Sequence, residues 1–276
     1  SWYHWSLEMK IFKNKLILQK EISKDNYLSF VPTMGGLHKG HLSLIKKAKK
    51  YKCKICVSIF VNPSQFNKKN DFKNYPRNIR SDIKKLKKLK INYLYLPPYA
   101  DIYSFKTKNE IYLDKFSKQL CGKYRKGHFE GVLNVVNRFL EIIDPKYIFL
   151  GIKDFQQLIL INEHIQKNNI KTKVIECSTI REKSGVACST RNFNLNNKEL
   201  LIASNIYKYL LNLKKKIKNN YKLFKINTIK NDLISLGATK IDYVENLNMK
   251  KFKKNKKLKN KFRLFFAYYI NNVRLI

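Results

Sequence analysis

The chain has 276 residues, 44% of them hydrophobic, and a formal net charge of +39. This content can bury the core of one large domain or two modest ones, and it excludes a membrane-spanning segment because no apolar run approaches the roughly 20 residues needed. The charge suggests nucleic acid as a partner, but lysine and asparagine are frequent throughout and RNA-binding aromatic motifs are absent, so we expect only nonspecific attraction of nucleic acid and other anions.

From Met9 to about Ser178, short apolar runs alternate with amphipathic segments. The predicted strands are Tyr27–Val31, which breaks at Pro32, then Lys54–Val61, Tyr93–Leu96, Tyr147–Leu150 and Lys173–Glu176. The predicted helices are Leu42–Lys50, Ile79–Lys90, Gly131–Ile143 and Phe155–Gln166. Apolar strands separated by such helices predict right-handed βαβ units and an α/β fold with a parallel sheet. Ligands in such sheets bind at the carboxyl ends of the strands.

After Thr179 the pattern changes. A helix with a basic end is predicted over Arg191–Asn220, a second helix over Tyr221–Leu236 stops at Gly237, and apolar runs follow at 241–244 and 262–270. We interpret this region as a smaller α+β domain that closes over the first, and we place the domains at residues 9–178 and 179–276. Met9 is the expected initiator, so residues 1–8 are interpreted as an extension.

Five cysteines are scattered along the chain. Cys53 and Cys56 form a CxxC pair, a spacing that can serve zinc or redox chemistry. Because Cys56 lies inside an apolar run and no second CxxC exists, we interpret the cysteines as buried structural thiols. Scattered thiols without a secretory signal indicate a reduced, cytoplasmic protein.

The segment "PTMGGLHKGH" joins the first predicted strand to its helix. A helix N-terminus presents unpaired N–H groups and the positive end of the helix dipole. Gly40 allows close approach of a phosphate, while His38 and His41 can donate hydrogen bonds to phosphate oxygens and stabilise charge that develops there. The alternative is a structural role for each histidine in the turn. We favour phosphate chemistry because two histidines bracket one glycine.

Polar residues follow two other strands. Gln65, after "FVNP", can donate to or accept from a substrate hydroxyl or carboxylate, although a plain turn capped by Asn62 would also explain the segment. Lys153 can neutralise a phosphate, and Asp154 can either cap the following helix or hold Mg²⁺. Farther on, the hydroxyls in "CSTRN" beside Arg191 suit an anion-binding loop, with a polar inter-domain turn as the alternative.

Six segments, in this order, resemble the pantothenate synthetase (pantoate–β-alanine ligase) family of the HxGH nucleotidylyltransferase superfamily. They are "VPTMGGLHKGHLSLI", "FVNPSQF", "YPR", "GHFEGV", "KDFQQL" and "STRN". The resemblance implies a Rossmann-like domain, a smaller lid domain and a homodimer. It also implies a two-step reaction with Mg²⁺ and ATP. Pantoate's carboxylate attacks the α-phosphate of ATP, and the amine of β-alanine then attacks the pantoyl adenylate to release AMP and pantothenate.

The resemblance also implies roles for individual residues. The expected catalytic residues are His38, His41 and Lys153. The residues expected to bind ATP are these three together with Met34, Gly151, Asp154, Ser189, Thr190 and Arg191. Those expected to bind pantoate are Gln65, Gln157 and Met34, and those expected to hold Mg²⁺ are Asp154 and Asp82. His128 matches a family histidine that either supports the structure or contacts substrate.

The chain departs from the family pattern at Lys39 and Ile152, where glutamates are usual, and at Cys121, where a carboxylate is lost. Three alternatives therefore stay open. The first is another HxGH nucleotidylyltransferase, although the paired amides Gln65 and Gln157 are unsuited to a phosphorylated acceptor. The second is a decayed, inactive paralogue of the family. The third is a nucleic-acid binder driven by charge, whose affinity should fall steeply with salt.

Overall fold

The computed structural model describes residues 8–252 and 262–276. Its residues fall into two compact units, one up to Ile180 and the other from Arg181 onward. The interpretation of residues 1–8 as an extension falls almost wholly outside the described residues.

The first unit is built on a six-stranded sheet in which every pairing is parallel. The strands are β1 Lys10–Phe12, β2 Leu28–Thr33, β3 Lys54–Ile59, β4 Tyr93–Tyr95, β5 Tyr147–Gly151 and β6 Lys173–Cys177. Their order is β1-β4-β3-β2-β5-β6. The chain therefore builds outward from β2 on one side and then crosses to β5 on the other, as in Rossmann-type sheets.

Eight helices accompany this sheet in the described part of the unit. They are α1 Lys15–Ile22, α2 Lys39–Lys49, α3 Lys69–Asn74, α4 Ile79–Lys88, α5 Tyr99–Tyr103, α6 Cys121–Tyr124, α7 His128–Ile143 and α8 Phe155–Lys167. The long helices match the predicted ones to within a few residues. The short helices α3, α5 and α6, together with α1 and β1, were not predicted, because three to eight residues carry too little periodicity to stand out.

One boundary prediction was wrong: β2 does not break at Pro32. Pairing with β3 continues through Pro32↔Ser58 to Thr33↔Ile59. Pairing with β5, in contrast, is confined to Ser29↔Tyr147 and Phe30↔Ile148. The missing N–H of Pro32 therefore costs no bond to β5, which is why proline is tolerated in a central strand here.

The same pairing pattern predicts a crevice at the carboxyl edge of the sheet. β2 and β5 are adjacent strands. However, the last three residues of β2 do not pair with β5, and the last three residues of β5 do not pair with β2. This is also the point where strand order reverses, and open α/β sheets bind their ligands there. The segments that leave β2 and β5, which carry His38 and Lys153, border this crevice.

The core of the first unit lies between the sheet and its helices. Ile45 and Ala48 of α2 are fully buried against strand residues such as Val31 and Phe149. On α7, Gly131 allows close packing on the 3-10 turn Pro63–Gln65, because an added Cβ would lie 2.3 Å from the carbonyl oxygen of Ser64. The glycine therefore fixes where the turn that carries Gln65 sits.

The second unit is α+β, as predicted. The helices α9 Asn197–Asn219 and α10 Ile226–Leu236 pack on an antiparallel sheet of β7 Lys240–Asn248, β8 Phe262–Ile270 and β9 Val273–Leu275. Asn196 and Glu199 form a reciprocal capping box at the start of α9. This box explains why the helix begins six residues later than predicted, after a 3-10 turn at Thr190–Asn194. Gly237 ends α10 with a φ of 120°.

No helix in the described residues is both long and apolar enough to cross a membrane. All five cysteines are free, and all but Cys53 are buried.

We predict that Gly131→Ala destabilises the protein, because the added methyl group must displace the backbone of Ser64. The expected loss in free energy of unfolding is about 1–3 kcal/mol, the usual cost of overpacking. Urea denaturation measures it. Gly151→Ala is the matched control, since its Cβ would meet nothing within 4 Å and its φ of −76° suits any residue. Equal stability of the two variants would contradict the packing argument.

Candidate active site

Two histidines cap helix α2 at the carboxyl end of β2. His38 is the N-cap residue, and its Nδ1 accepts a hydrogen bond from the backbone N–H of Gly40 at 3.0 Å. His41 reciprocates, because its Nδ1 accepts from the backbone N–H of His38 at 3.2 Å. This is a capping box in which imidazoles replace the usual hydroxyl and carboxylate. The ring centroids lie 4.0 Å apart, so the imidazoles are side by side.

The capping bonds determine where each imidazole carries its proton. A ring nitrogen that accepts an N–H bond is unprotonated, so the neutral form of each ring holds its proton on Nε2. Burial, followed by electrostatic interaction with His38, Lys153 and Lys85, lowers the pKa of His41 from 6.5 to about 3. His41 is therefore neutral near pH 7 and can offer its Nε2–H as a hydrogen-bond donor.

β5 brings a lysine to the same part of the sheet edge. The strand ends at Gly151 and continues into a 3-10 turn, Ile152–Asp154. Lys153 is close enough to His41 to lower the pKa of its imidazole. Gly151 has open space where a Cβ would stand and an ordinary φ, so the fold itself does not require glycine there. The structure thus brings together the three residues predicted to be catalytic.

Asp154 lies at the start of α8 but makes no side-chain capping hydrogen bond there. Half of its side chain is exposed, and a carboxylate oxygen lies 3.8 Å from Nζ of Lys153. The carboxylate therefore does not cap α8, which was the structural alternative for this residue. It is left accessible to a cation.

The amide of Gln65 is held in one orientation by Asn62. Asn62 accepts from the backbone N–H of Ser64 and donates to the carbonyl of Gly131, and these backbone partners distinguish the two ends of its amide. Its Nδ2 also donates to Oε1 of Gln65 at 3.2 Å. The NH₂ group of Gln65 is therefore the end that can be offered to a ligand. Asn62 does cap the turn, and in doing so it orients Gln65.

His128 supports the same turn from α7. It is buried, its Nδ1 lies 2.7 Å from the carbonyl oxygen of Gln65, and its Nε2 lies 3.2 Å from Nη1 of Arg125. The sequence left a supporting role and a substrate contact equally open for His128. The structure shows the supporting contact, directly behind the residue predicted to bind pantoate.

Two neighbouring glutamines on α8 have different environments. Gln157, predicted to bind pantoate, is half-buried. Gln156 is buried, donates to the carbonyls of Phe116 and Gln119 at 2.7 and 2.8 Å, and accepts from the N–H of Cys121 at 3.1 Å. Sequence reasoning missed this role of Gln156, because helix rotation alone distinguishes the two residues.

The glycine loop between β2 and His38 is bound to α4. Asp82 is buried, and its two oxygens accept the backbone N–H groups of Gly36 at 3.0 Å and Leu37 at 2.9 Å. Met34, predicted to contact both ATP and pantoate, is half-buried at the start of this loop. Asp82 thus lies close to the predicted site, but its visible partners are backbone amides of the loop.

The predicted anion-binding loop in "CSTRN" lies in the second unit. Thr190 is buried, and Ser189 and Arg191 are half-buried. Their segment follows a short hairpin closed by a bridge between Arg181 and Ala187. Asn192 donates to the carbonyl of Ala187 at 2.9 Å and so ties the segment to the hairpin. Their contact with ATP stays a prediction.

Comparison with known proteins places these features in a family. The family model described as pantoate–β-alanine ligase matches residues 9–276. A pantothenate synthetase from Fervidobacterium nodosum is 37% identical over 98% of this chain and 97% of its own. One from Flavobacterium psychrophilum is 39% identical over 95% and 94%.

Two solved structures are similar over nearly the whole chain. A pantoate–β-alanine ligase from Francisella tularensis, described as complexed with "Beta-gamma ATP" and β-alanine, is 38% identical with a TM-score of 0.81 and covers 97% of this chain and 95% of its own. A pantothenate synthetase from Thermus thermophilus is 26% identical with a TM-score of 0.86 and covers 97% of each chain.

The lowered pKa of His41 predicts an acid-sensitive contribution to stability. Its folded pKa of about 3 lies below the ordinary 6.5, so between these values the unfolded chain binds a proton that the folded chain does not. The contribution is complete above about pH 6.5 and is lost as the pH falls toward about 3. We expect His41→Asn, which keeps an acceptor for the N–H of His38, to flatten this part of the stability profile. Urea denaturation at several pH values measures it, and parallel profiles would contradict the assignment.

Proposed function

Because the chain belongs to the pantoate–β-alanine ligase family, we propose that the residues gathered at the carboxyl edge of its sheet carry out that family's reaction. The chain is an ATP-dependent ligase that condenses pantoate with β-alanine. It forms pantothenate, AMP and pyrophosphate through a pantoyl-adenylate intermediate. Neither the other nucleotidylyltransferase activity nor the decayed paralogue is favoured by these relatives.

The first step needs donors for negative charge and no covalent nucleophile from the protein. The carboxylate of pantoate attacks the α-phosphate, and charge grows on the phosphate oxygens as pyrophosphate leaves. We propose that His38 and His41 stabilise this charge, because the capping bonds fix their Nε2–H groups as hydrogen-bond donors. Lys153 adds a positive charge beside them. A preorganised set of this kind stabilises the transition state without reorganising during the reaction.

Asp154 is the residue that fits Mg²⁺ best. Mg²⁺ keeps several waters and usually binds one or two carboxylates together with substrate phosphates. The exposed and uncapped carboxylate of Asp154 suits that pattern, and Mg²⁺ held there would neutralise charge on the triphosphate. Gly151, with open space on its Cβ side, would face the nucleotide.

Pantoate is assigned to the turn that carries Gln65. Since Oε1 of Gln65 is occupied by Asn62, Gln65 would donate its NH₂ group to an acceptor oxygen of pantoate, either carboxylate or hydroxyl. Gln157 and Met34, both half-buried, would complete this pocket. An amide donor recognises such an oxygen without adding charge to it.

The second unit would contribute Ser189, Thr190 and Arg191 to the triphosphate, two hydroxyl donors and one bidentate guanidinium. We further propose that the unit acts as a lid, that the enzyme is a homodimer, and that it is cytoplasmic. The resemblance to the family carries the first two proposals. The free cysteines support the third, because reduced thiols are typical of that compartment.

Two of the departures from the family pattern, Cys121 and Lys39, are compatible with activity. Cys121 is held through its backbone N–H by Gln156, so the loss of a carboxylate at this position leaves the anchor of the segment intact. Lys39 is exposed on the first turn of α2. Its charge opposes the helix dipole but attracts an anionic nucleotide.

The test is pyrophosphate release with Mg²⁺ and ATP, with and without pantoate and β-alanine. We expect release to require pantoate and to reach steady turnover only with β-alanine. His41→Asn should lower kcat by about 10²–10³-fold, the usual cost of removing one such donor. Lys49→Ala, a charge change on the exposed end of the same helix, is the matched control and should leave kcat unchanged.

Release of pyrophosphate without pantoate would contradict the proposal and favour another nucleotidylyltransferase. No release from folded protein would identify a decayed paralogue. Full activity of His41→Asn would leave the ligase in place but remove the role assigned to His41.

A further inference from the structure

Two side chains of α4, Asp82 and Lys85, form hydrogen bonds with the glycine loop that leads to the histidines. The two oxygens of Asp82 accept from consecutive N–H groups, those of Gly36 and Leu37. One helical turn later, Nζ of Lys85 donates to the carbonyl of Leu37 at 2.8 Å. Residues three apart lie on one face of a helix, so acceptor and donor meet the loop together.

The backbone of the loop is shaped to receive this carboxylate. Gly35 and Gly36 have φ values of 77° and 60°, the left-handed region that favours glycine. Consecutive N–H groups in such a turn converge into a concavity for an anion. A Cβ on Gly35 would stand 3.0 Å from Oδ2 of Asp82, so the carboxylate fills the space that glycine leaves.

The loop ends at His38, where the capping box begins. Any shift of Leu37 moves the N-cap, and with it the Nε2–H donors of both imidazoles. Lys85 bonds to the residue directly before the N-cap, and its charge contributes to the lowered pKa of His41. Misplacing catalytic donors by about 1 Å can cost about 100-fold in rate.

We propose that Asp82 and Lys85 form a clamp on the Gly35–Leu37 loop and act as positioning residues for adenylation, and that Asp82 does not ligate Mg²⁺. This proposal rests on the proposed function, in which His38 and His41 act on ATP. Asp82 is 2% exposed and already bonded through each oxygen, whereas a hydrated Mg²⁺ requires an accessible carboxylate. Asp154 meets that requirement.

The experiment compares Asp82→Asn, Lys85→Met and Lys85→Arg with Asp154→Asn. It measures kcat, the KM for ATP, and the Mg²⁺ concentration that gives half-maximal rate. We expect Asp82→Asn and Lys85→Met to lower kcat by about tenfold or more, and Lys85→Arg, which keeps a donor, to recover most of it. Their Mg²⁺ requirement should stay within about twofold of wild type, while that of Asp154→Asn rises.

An increase in the Mg²⁺ requirement of Asp82→Asn as large as that of Asp154→Asn, with activity restored by added Mg²⁺, would overturn the proposal. So would wild-type kcat in Lys85→Met. If Asp82→Asn does not fold, Lys85→Met and Lys85→Arg still decide whether α4 clamps the loop. Amide hydrogen exchange at Gly36 and Leu37 gives a readout independent of activity. Faster exchange in folded Lys85→Met supports the clamp, and unchanged exchange opposes it.

Failure of the proposed function is distinct, because wild type would then lack pantoate-dependent pyrophosphate release.

Discussion

The hydrogen bonds from backbone N–H groups to Nδ1 of His38 and Nδ1 of His41 are the constraint on which the site depends. They satisfy the free amides at the start of a helix, and they leave each neutral imidazole with its proton on Nε2. The same pair of hydrogen bonds therefore stabilises the start of the helix and fixes both imidazoles as donors in the site. The lowered pKa of His41 reinforces this arrangement, because burial and nearby cations keep the ring neutral. In the proposed reaction the histidines act as fixed donors, and that proposal requires no acid–base chemistry from them.

The topology of the sheet explains why these donors meet a lysine. β2 and β5 are neighbours, yet their pairing ends before their carboxyl ends, so the segments that follow them border one crevice. The glycine loop, held by Asp82, leads into the histidines on one side, and the Ile152–Asp154 turn supplies Lys153 on the other. The Pro63–Gln65 turn is fixed separately, through Asn62, His128 and the close packing at Gly131. Groups that would act on ATP and on pantoate are thus positioned by independent contacts.

Much of this arrangement could be predicted from the sequence. The parallel sheet, the long helices and the α+β character of the second unit followed from hydrophobic periodicity, and the HKGH turn was expected at a strand end. A structural role for the histidines was kept as the alternative to phosphate chemistry, but their capping box was not foreseen, because spacing alone does not show which nitrogen accepts. Gln156 and Lys85 were missed for a similar reason: their roles depend on helix rotation and on partners far away in sequence. Asp82 was linked to Mg²⁺ through family resemblance, while its bonds to the loop became visible only in three dimensions.

The central claim is that His41 is a neutral donor through Nε2. The most direct test is ¹⁵N NMR of the imidazole nitrogens in histidine-labelled protein, with His41→Asn to assign the resonances. The account predicts a protonated Nε2 and an unprotonated Nδ1 that do not titrate between about pH 5 and 8. A His41 ring protonated on Nδ1, or one that gains a second proton within that range, would contradict it.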